Sequence, residues 1–107
     1  MSGRRHHKDL QLCRQVFDAL SYALAELDDE LVDDLVLASV VPAPSSARVQ
    51  VTLVPGRDGI DAAEALEHVY AASAELREEV AAEVSRRRVP ELVFRIGHRD
   101  ELLVQRG

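Results

Sequence analysis

The sequence predicts an α+β domain in the order helix, strand, strand, helix, strand, with the second helix either continuous or broken in two. Three patterns carry that prediction. Apolar residues recur in steps of three and four from Asp9 to Leu27, and again from Ile60 to Arg88, the period of an amphipathic helix. Between and after them, Ala47 to Val54 and Glu91 to Ile96 alternate apolar with polar, the period of a half-buried strand. At 107 residues there is room for one domain and one modest core. With aromatics at 4% and no Trp, that core must come from Leu, Val, Ala and Ile.

The first helix presents Leu10, Cys13, Phe17, Leu20, Leu24 and Leu27, widened by Val16 and Ala23. Cys13, the single cysteine, lies on this stripe and is expected to pack rather than react. Asp28, Asp29, Glu30, Asp33 and Asp34 form an acidic connector lacking the Gly and alternating ligands of a calcium loop. It is expected to be a solvated linker anchored by Leu31 and Val32. Leu35 to Val41 is apolar and rich in β-branched residues, a strand covered on at least one face. Pro42, Ala43, Pro44, Ser45 and Ser46 turn the chain. The second strand then points Val49, Val51 and Leu53 inward and Arg48, Gln50 and Thr52 outward, antiparallel to the first. Pro55, Gly56, Asp58 and Gly59 close it. Asp61 with Glu64 resembles a helix-capping pair, with Asp58 as the alternative cap. The following helix aligns Ile60, Ala63, Leu66, Val69, Ser73, Leu76, Val80 and Val84, and the small residues of Ala71-Ala72-Ser73-Ala74 are the place for a bend. Pro90 drives Val89 out of helical geometry, so the helix is expected to end near Arg88. Arg86, Arg87 and Arg88 would then occupy its last turn, where the macrodipole favours cations. Leu92, Phe94 and Ile96 face inward from the third strand, which Gly97 ends.

Charge is segregated along the chain. The net −6 divides into +3 over residues 1–17 (four cations, one acid), −12 over 18–83 (three cations, fifteen acids) and +3 over 84–107 (six cations, three acids). Such a pattern suits a molecule with one basic and one acidic surface. No apolar run approaches the length of a bilayer span, and Met1 to Lys8 has no apolar segment behind it as a secretory signal would; the cytoplasm is the expected compartment. No nucleophile elbow, Gly-rich phosphate loop, zinc spacing or dinucleotide fingerprint is present. His6-His7 lack further ligands, and His68 reads as a surface histidine. No catalytic residue, metal site or cofactor is expected, and the chain does not read as an enzyme.

The Arg87-Arg88-Val89-Pro90-Glu91-Leu92-Val93-Phe94 run resembles the Arg-x-Val-Pro-Glu-Leu-x-Phe signature of the ribosome-binding factor A family. It lies at the junction of the last helix and third strand, as in that family. The Ala47-Arg48-Val49-Gln50-Val51 strand matches the family's hairpin, and the element order agrees over about residues 5–97. The resemblance implies a type II KH-like domain over residues 9–97, preceded by a flexible basic arm (1–8) and followed by a short tail (98–107). In this family an Ala-x-Gly kink between two helices replaces the Gly-rich loop of ordinary KH domains. Ala72-Ser73-Ala74 falls there, with Ala for Gly. The acidic residue that often follows the third strand aligns with Gly97, and the family's C-terminal extension is reduced to Asp100-Glu101-Leu102-Leu103.

The resemblance further implies a monomeric bacterial ribosome-assembly factor that binds the free small ribosomal subunit and assists maturation and processing of its ribosomal RNA. RNA binding needs cations placed along phosphates. The residues expected to serve are the Arg86, Arg87 and Arg88 cluster, the Arg4, Arg5 and Lys8 arm, Arg14 and Arg77 on polar helix faces, and Ser73 and Ala74 at the kink. Solvated charges at a helix end or a solubilising tail are the plainer readings of the same arginines. Two rivals stand beside this one: a dimerising α+β regulatory or ligand-binding module, which an apolar outward sheet face would favour, and a KH-like relative of the BolA family, whose third-strand His is missing here.

Overall fold

A computed structural model describes residues 2–43, 47–84 and 89–101, with side chains described from Leu10 onward. Its elements are α1 (Ser2–Glu26), α2 (Glu30–Asp33), β1 (Leu35–Pro42), β2 (Arg48–Pro55), α3 (Ala62–Ala71), α4 (Ser73–Glu83) and β3 (Glu91–Ile96). β2 is the central strand, antiparallel to β1 and parallel to β3. The α3–α4 crossover supplies the long connection that a parallel pair requires.

One face of the sheet meets the helices. Val49, Val51 and Leu53 lie beside Leu92, Phe94 and Ile96 in register. They form one core with Cys13, Val16, Leu20 and Ala23 of α1 and with Leu76 and Val80 of α4. The buried centre of α1 is therefore Cys13-Val16-Leu20-Ala23-Leu27, while Leu10, expected on the stripe, is half exposed. α1 also begins at Ser2 rather than near Asp9. An apolar stripe marks where a helix gains a partner, not where its backbone hydrogen bonds stop.

Three further expectations are corrected. The acidic connector folds into α2: the Asp29 carboxylate accepts hydrogen bonds from the amides of Leu31 (2.9 Å) and Val32 (3.1 Å), and Val32 is buried. A capped turn thus replaces the solvated linker. On the next helix Ala65, not Ala63, faces the core. And α4 ends at Glu83, because Val84 turns extended (φ −92°, ψ 120°) and buries its side chain. Arg86, Arg87 and Arg88, expected in that last turn, lie outside the described residues.

The bend falls where the small residues allow it. Ala72 alone separates α3 from α4, at φ −96° and ψ 5°. Ala74, which stands where the family has its glycine, lies inside α4 with no positive φ, so the bend requires no glycine at that position. Asp61 caps α3 through the amides of Ala63 and Glu64, as the capping pair predicts. In the Val89-Pro90-Glu91-Leu92-Val93-Phe94 segment four residues have a mechanical task. Pro90 is buried just before the ladder starts, where its missing N–H costs nothing. The Glu91 amide donates to the Ala47 carbonyl (2.8 Å), and Leu92 and Phe94 reach the core.

Candidate nucleic-acid interface

The residues expected to contact RNA divide by what can be described. Arg86, Arg87 and Arg88, and the side chains of Arg4, Arg5 and Lys8, lie outside the described residues. Arg14 and Arg77 are exposed, on α1 and α4, two helices that pack on each other. Ser73 and Ala74 open α4 directly after the bend, with Ser73 half-buried and Ala74 exposed; no side chain caps this helix start.

Six arginines have described side chains, and they fall into two groups. Arg48 holds Glu91 (2.8 Å), Arg57 holds Asp34 (2.9 Å), Arg95 holds Glu101 (2.9 Å) and Arg99 holds Asp58 (2.6 Å). Among the described residues Arg14 and Arg77 have no ion-pair partner. On α4 the positions three and four residues from Arg77 are Ser73, Ala74, Val80 and Ala81, so no helical neighbour supplies the carboxylate that would neutralise it. Glu75, Glu78, Glu79 and Glu83 occupy other positions of the same helix. The helical surface is thus mixed in sign; Asp18 stands one turn on from Arg14, but neither guanidinium forms an ion pair among the described residues.

Several polar sites were missed by sequence reasoning. His68, expected to be a plain surface residue, places Nδ1 2.8 Å from Asp29 Oδ2 and ties α3 to the α2 cap. That hydrogen bond raises the imidazole pKa and lowers the carboxyl pKa from their ordinary values. Tyr70 is the second. Its hydroxyl accepts from the Phe94 amide (3.0 Å) and donates to the Phe94 carbonyl (3.3 Å), while the rings meet edge to face at 5.4 Å. One side chain thereby occupies the free edge of β3 as a neighbouring strand would.

The third is the C-terminal turn. Thr52 points to the outer sheet face as expected, yet is only 2% exposed. Its hydroxyl accepts from the Arg95 guanidinium (3.0 Å), which also grips both oxygens of Glu101. The Glu101 carboxylate lies over Gly97, where a Cβ would overlap it. An acidic group therefore sits at the position where the sequence has no acid, delivered from four residues downstream. The only advance signal was Gly97 itself, since glycine marks close approach as well as chain reversal.

No family model matches this chain, and no curated protein matches it. Solved structures do. The crystal structure of ribosome-binding factor A from Thermus thermophilus superimposes with a TM-score of 0.63 at 23% identity, covering 84% of this chain and 91% of that one. The solution structure of a Thermotoga maritima protein, described provisionally as a ribosome-binding factor A, gives 0.59 at 15% identity, covering 82% and 81%. Identities this low speak to architecture alone. The chain has the KH-like α+β fold found in ribosome-binding factor A.

Proposed function

We propose that this chain belongs with the ribosome-binding factors A and acts, without catalysis, as an assembly factor on the free small ribosomal subunit in the bacterial cytoplasm. It docks on ribosomal RNA through phosphate contacts and assists maturation of that RNA. The observation that carries this reading is the fold shared with the Thermus and Thermotoga structures, joined to the Val89-to-Phe94 segment at the entry to β3. The exposed Arg14 and Arg77, lacking carboxylate partners among the described residues, supply part of the cationic surface that phosphate docking needs. Arg86, Arg87 and Arg88, between α4 and β3 in sequence, supply the densest group of candidate contacts, and Arg4, Arg5 and Lys8 a further one. None of the described helices is long and apolar enough to cross a membrane.

Co-sedimentation with isolated small subunits tests this. Replacing Arg86, Arg87 and Arg88 by Glu is expected to weaken association by about tenfold or more, since several phosphate contacts go at once, while the urea midpoint stays near that of the parent. Unchanged co-sedimentation across a salt series removes those arginines from the interface.

One observation favours a second reading, self-association. On the outer sheet face Val36 and Val41 remain 40% and 44% exposed, and the free edge of β1 is an uncharged run from Leu35 to Pro42. Such an edge is a template for strand pairing. Sedimentation equilibrium at micromolar concentration distinguishes the two: a monomer supports the assembly-factor reading as stated, and a dimer abolished by Val36→Lys supports the second.

A further inference from the structure

The corner where β3 ends has the donors of an anion site, and the occupant is the chain itself. Arg95 Nη1 and Nη2 lie 2.9 and 3.1 Å from the two oxygens of Glu101. The His98 amide donates to the same carboxylate at 2.7 Å. Two parallel guanidinium bonds and a backbone N–H converging on a pair of oxygens is the geometry that proteins use for carboxylate and phosphate alike. Gly97 forms the floor, and the space a side chain would fill there is taken by the Glu101 carboxylate. The guanidinium is oriented from beneath by Thr52, whose side chain is buried. It is not oriented by Glu101 alone.

We propose that Arg95, the His98 amide and the Gly97 floor form a phosphate-binding site, which Glu101 of the C-terminal turn holds closed. The closure is weakly held. The Arg95 and Glu101 side chains are 42% and 31% exposed, and ion pairs so open to water contribute little. What keeps the carboxylate in place is its tether, six residues along the chain, which gives a high effective concentration. A second tie, Arg99 to Asp58, fastens the same turn through a carboxylate that is itself almost fully exposed. When the turn lifts, both guanidinium groups are released together, and Arg95 stays seated on Thr52. The guanidinium pKa is raised and the Glu101 carboxyl lowered by this contact, so the closed form is ionised throughout the neutral range. The site does not depend on the ribosomal reading, because a single phosphate group suffices to fill it.

Glu101→Ala opens the site, and Asp100→Ala removes the same charge one residue away without touching Arg95. Both are titrated with inorganic phosphate, following the Gly97 and His98 amide resonances, and with a single-stranded oligonucleotide at low salt. Glu101→Ala is expected to bind phosphate about tenfold more tightly than the parent, about 1.4 kcal/mol, with Asp100→Ala like the parent. Adding Arg95→Gln, or Gly97→Ala to fill the floor, should abolish that gain. A gain with both ligands identifies a nucleic-acid backbone as the source, and a gain with phosphate alone identifies the free anion. Equal gains from Glu101→Ala and Asp100→Ala, persistence of the gain with Arg95→Gln, or a gain for the oligonucleotide only each overturns the proposal.

Discussion

The helical layer and the C-terminal corner both carry arginine, and they treat it in opposite ways. On α1 and α4, Arg14 and Arg77 stand exposed with no carboxylate partner among the described residues. At the corner, Arg95 and Arg99 are each held by an acid brought from elsewhere in the chain, Glu101 and Asp58. Net charge therefore says little about which cations can meet a phosphate. A chain at −6 can still present cationic positions, because its acids neutralise some arginines locally and leave others alone.

The comparison breaks most readily through the packing that seats the helices. Leu76 is fully buried in the first turn of α4, and Leu76→Ala should cost about 2–5 kcal/mol, read as a lower urea midpoint. If display of Arg77 depends on that seat, small-subunit binding falls with it; a variant equally destabilised but with full binding separates the two.

A smaller effect comes from the polar tie on the other side of α3. The His68–Asp29 bond stabilises the fold in full when the imidazole is protonated and the carboxylate ionised. Because the His68 pKa is raised by Asp29, its contribution is complete below the ordinary imidazole value and fades as pH rises through the elevated one. Because the Asp29 pKa is lowered by His68, the acid-side contribution is present above the ordinary carboxyl value and fades as pH falls through the depressed one. The stability gap between the parent and His68→Gln should thus be widest from about pH 4 to 6.5 and narrow as pH rises above that window through the elevated imidazole pKa. A gap constant from about pH 5 to 9 would show that the pair does not act as drawn. Glu64 and Glu67 on α3 add to the same shift, and Asp34 with its partner Arg57 lies in the same groove.

Much of the fold was legible because period and punctuation agree. The alternation of Val49, Val51 and Leu53 identified the face of β2 correctly, and Asp61 marked the start of α3. What alternation could not reveal is exposure. Thr52 is polar and outward but buried, because Arg95 and Glu101 come from distant positions to cover it. Helix ends were misread for a related reason. Val84 leaves helical geometry while still burying its side chain, so the apolar period continues past the point where the helix stops. The Ala38 bulge in β1, lying between Leu37 and Ser39 in the register, left no mark in the pattern either. Of the candidate interface, Arg14 and Arg77 were found as exposed positions; the pairing that distinguishes them from Arg48 and Arg57 is long-range and invisible to a local reading.

That distinction is also the most direct test of the account. Arg14→Gln with Arg77→Gln and Arg48→Gln with Arg57→Gln remove equal charge from the chain. Binding to small subunits is measured for both against salt from about 50 to 200 mM, the range over which phosphate contacts are lost most visibly. Losing the first pair should reduce the slope of log affinity against log salt by about one to two, and losing the second should leave it unchanged. Equal slopes for both double variants would contradict the claim that cations without carboxylate partners are the ones that meet RNA.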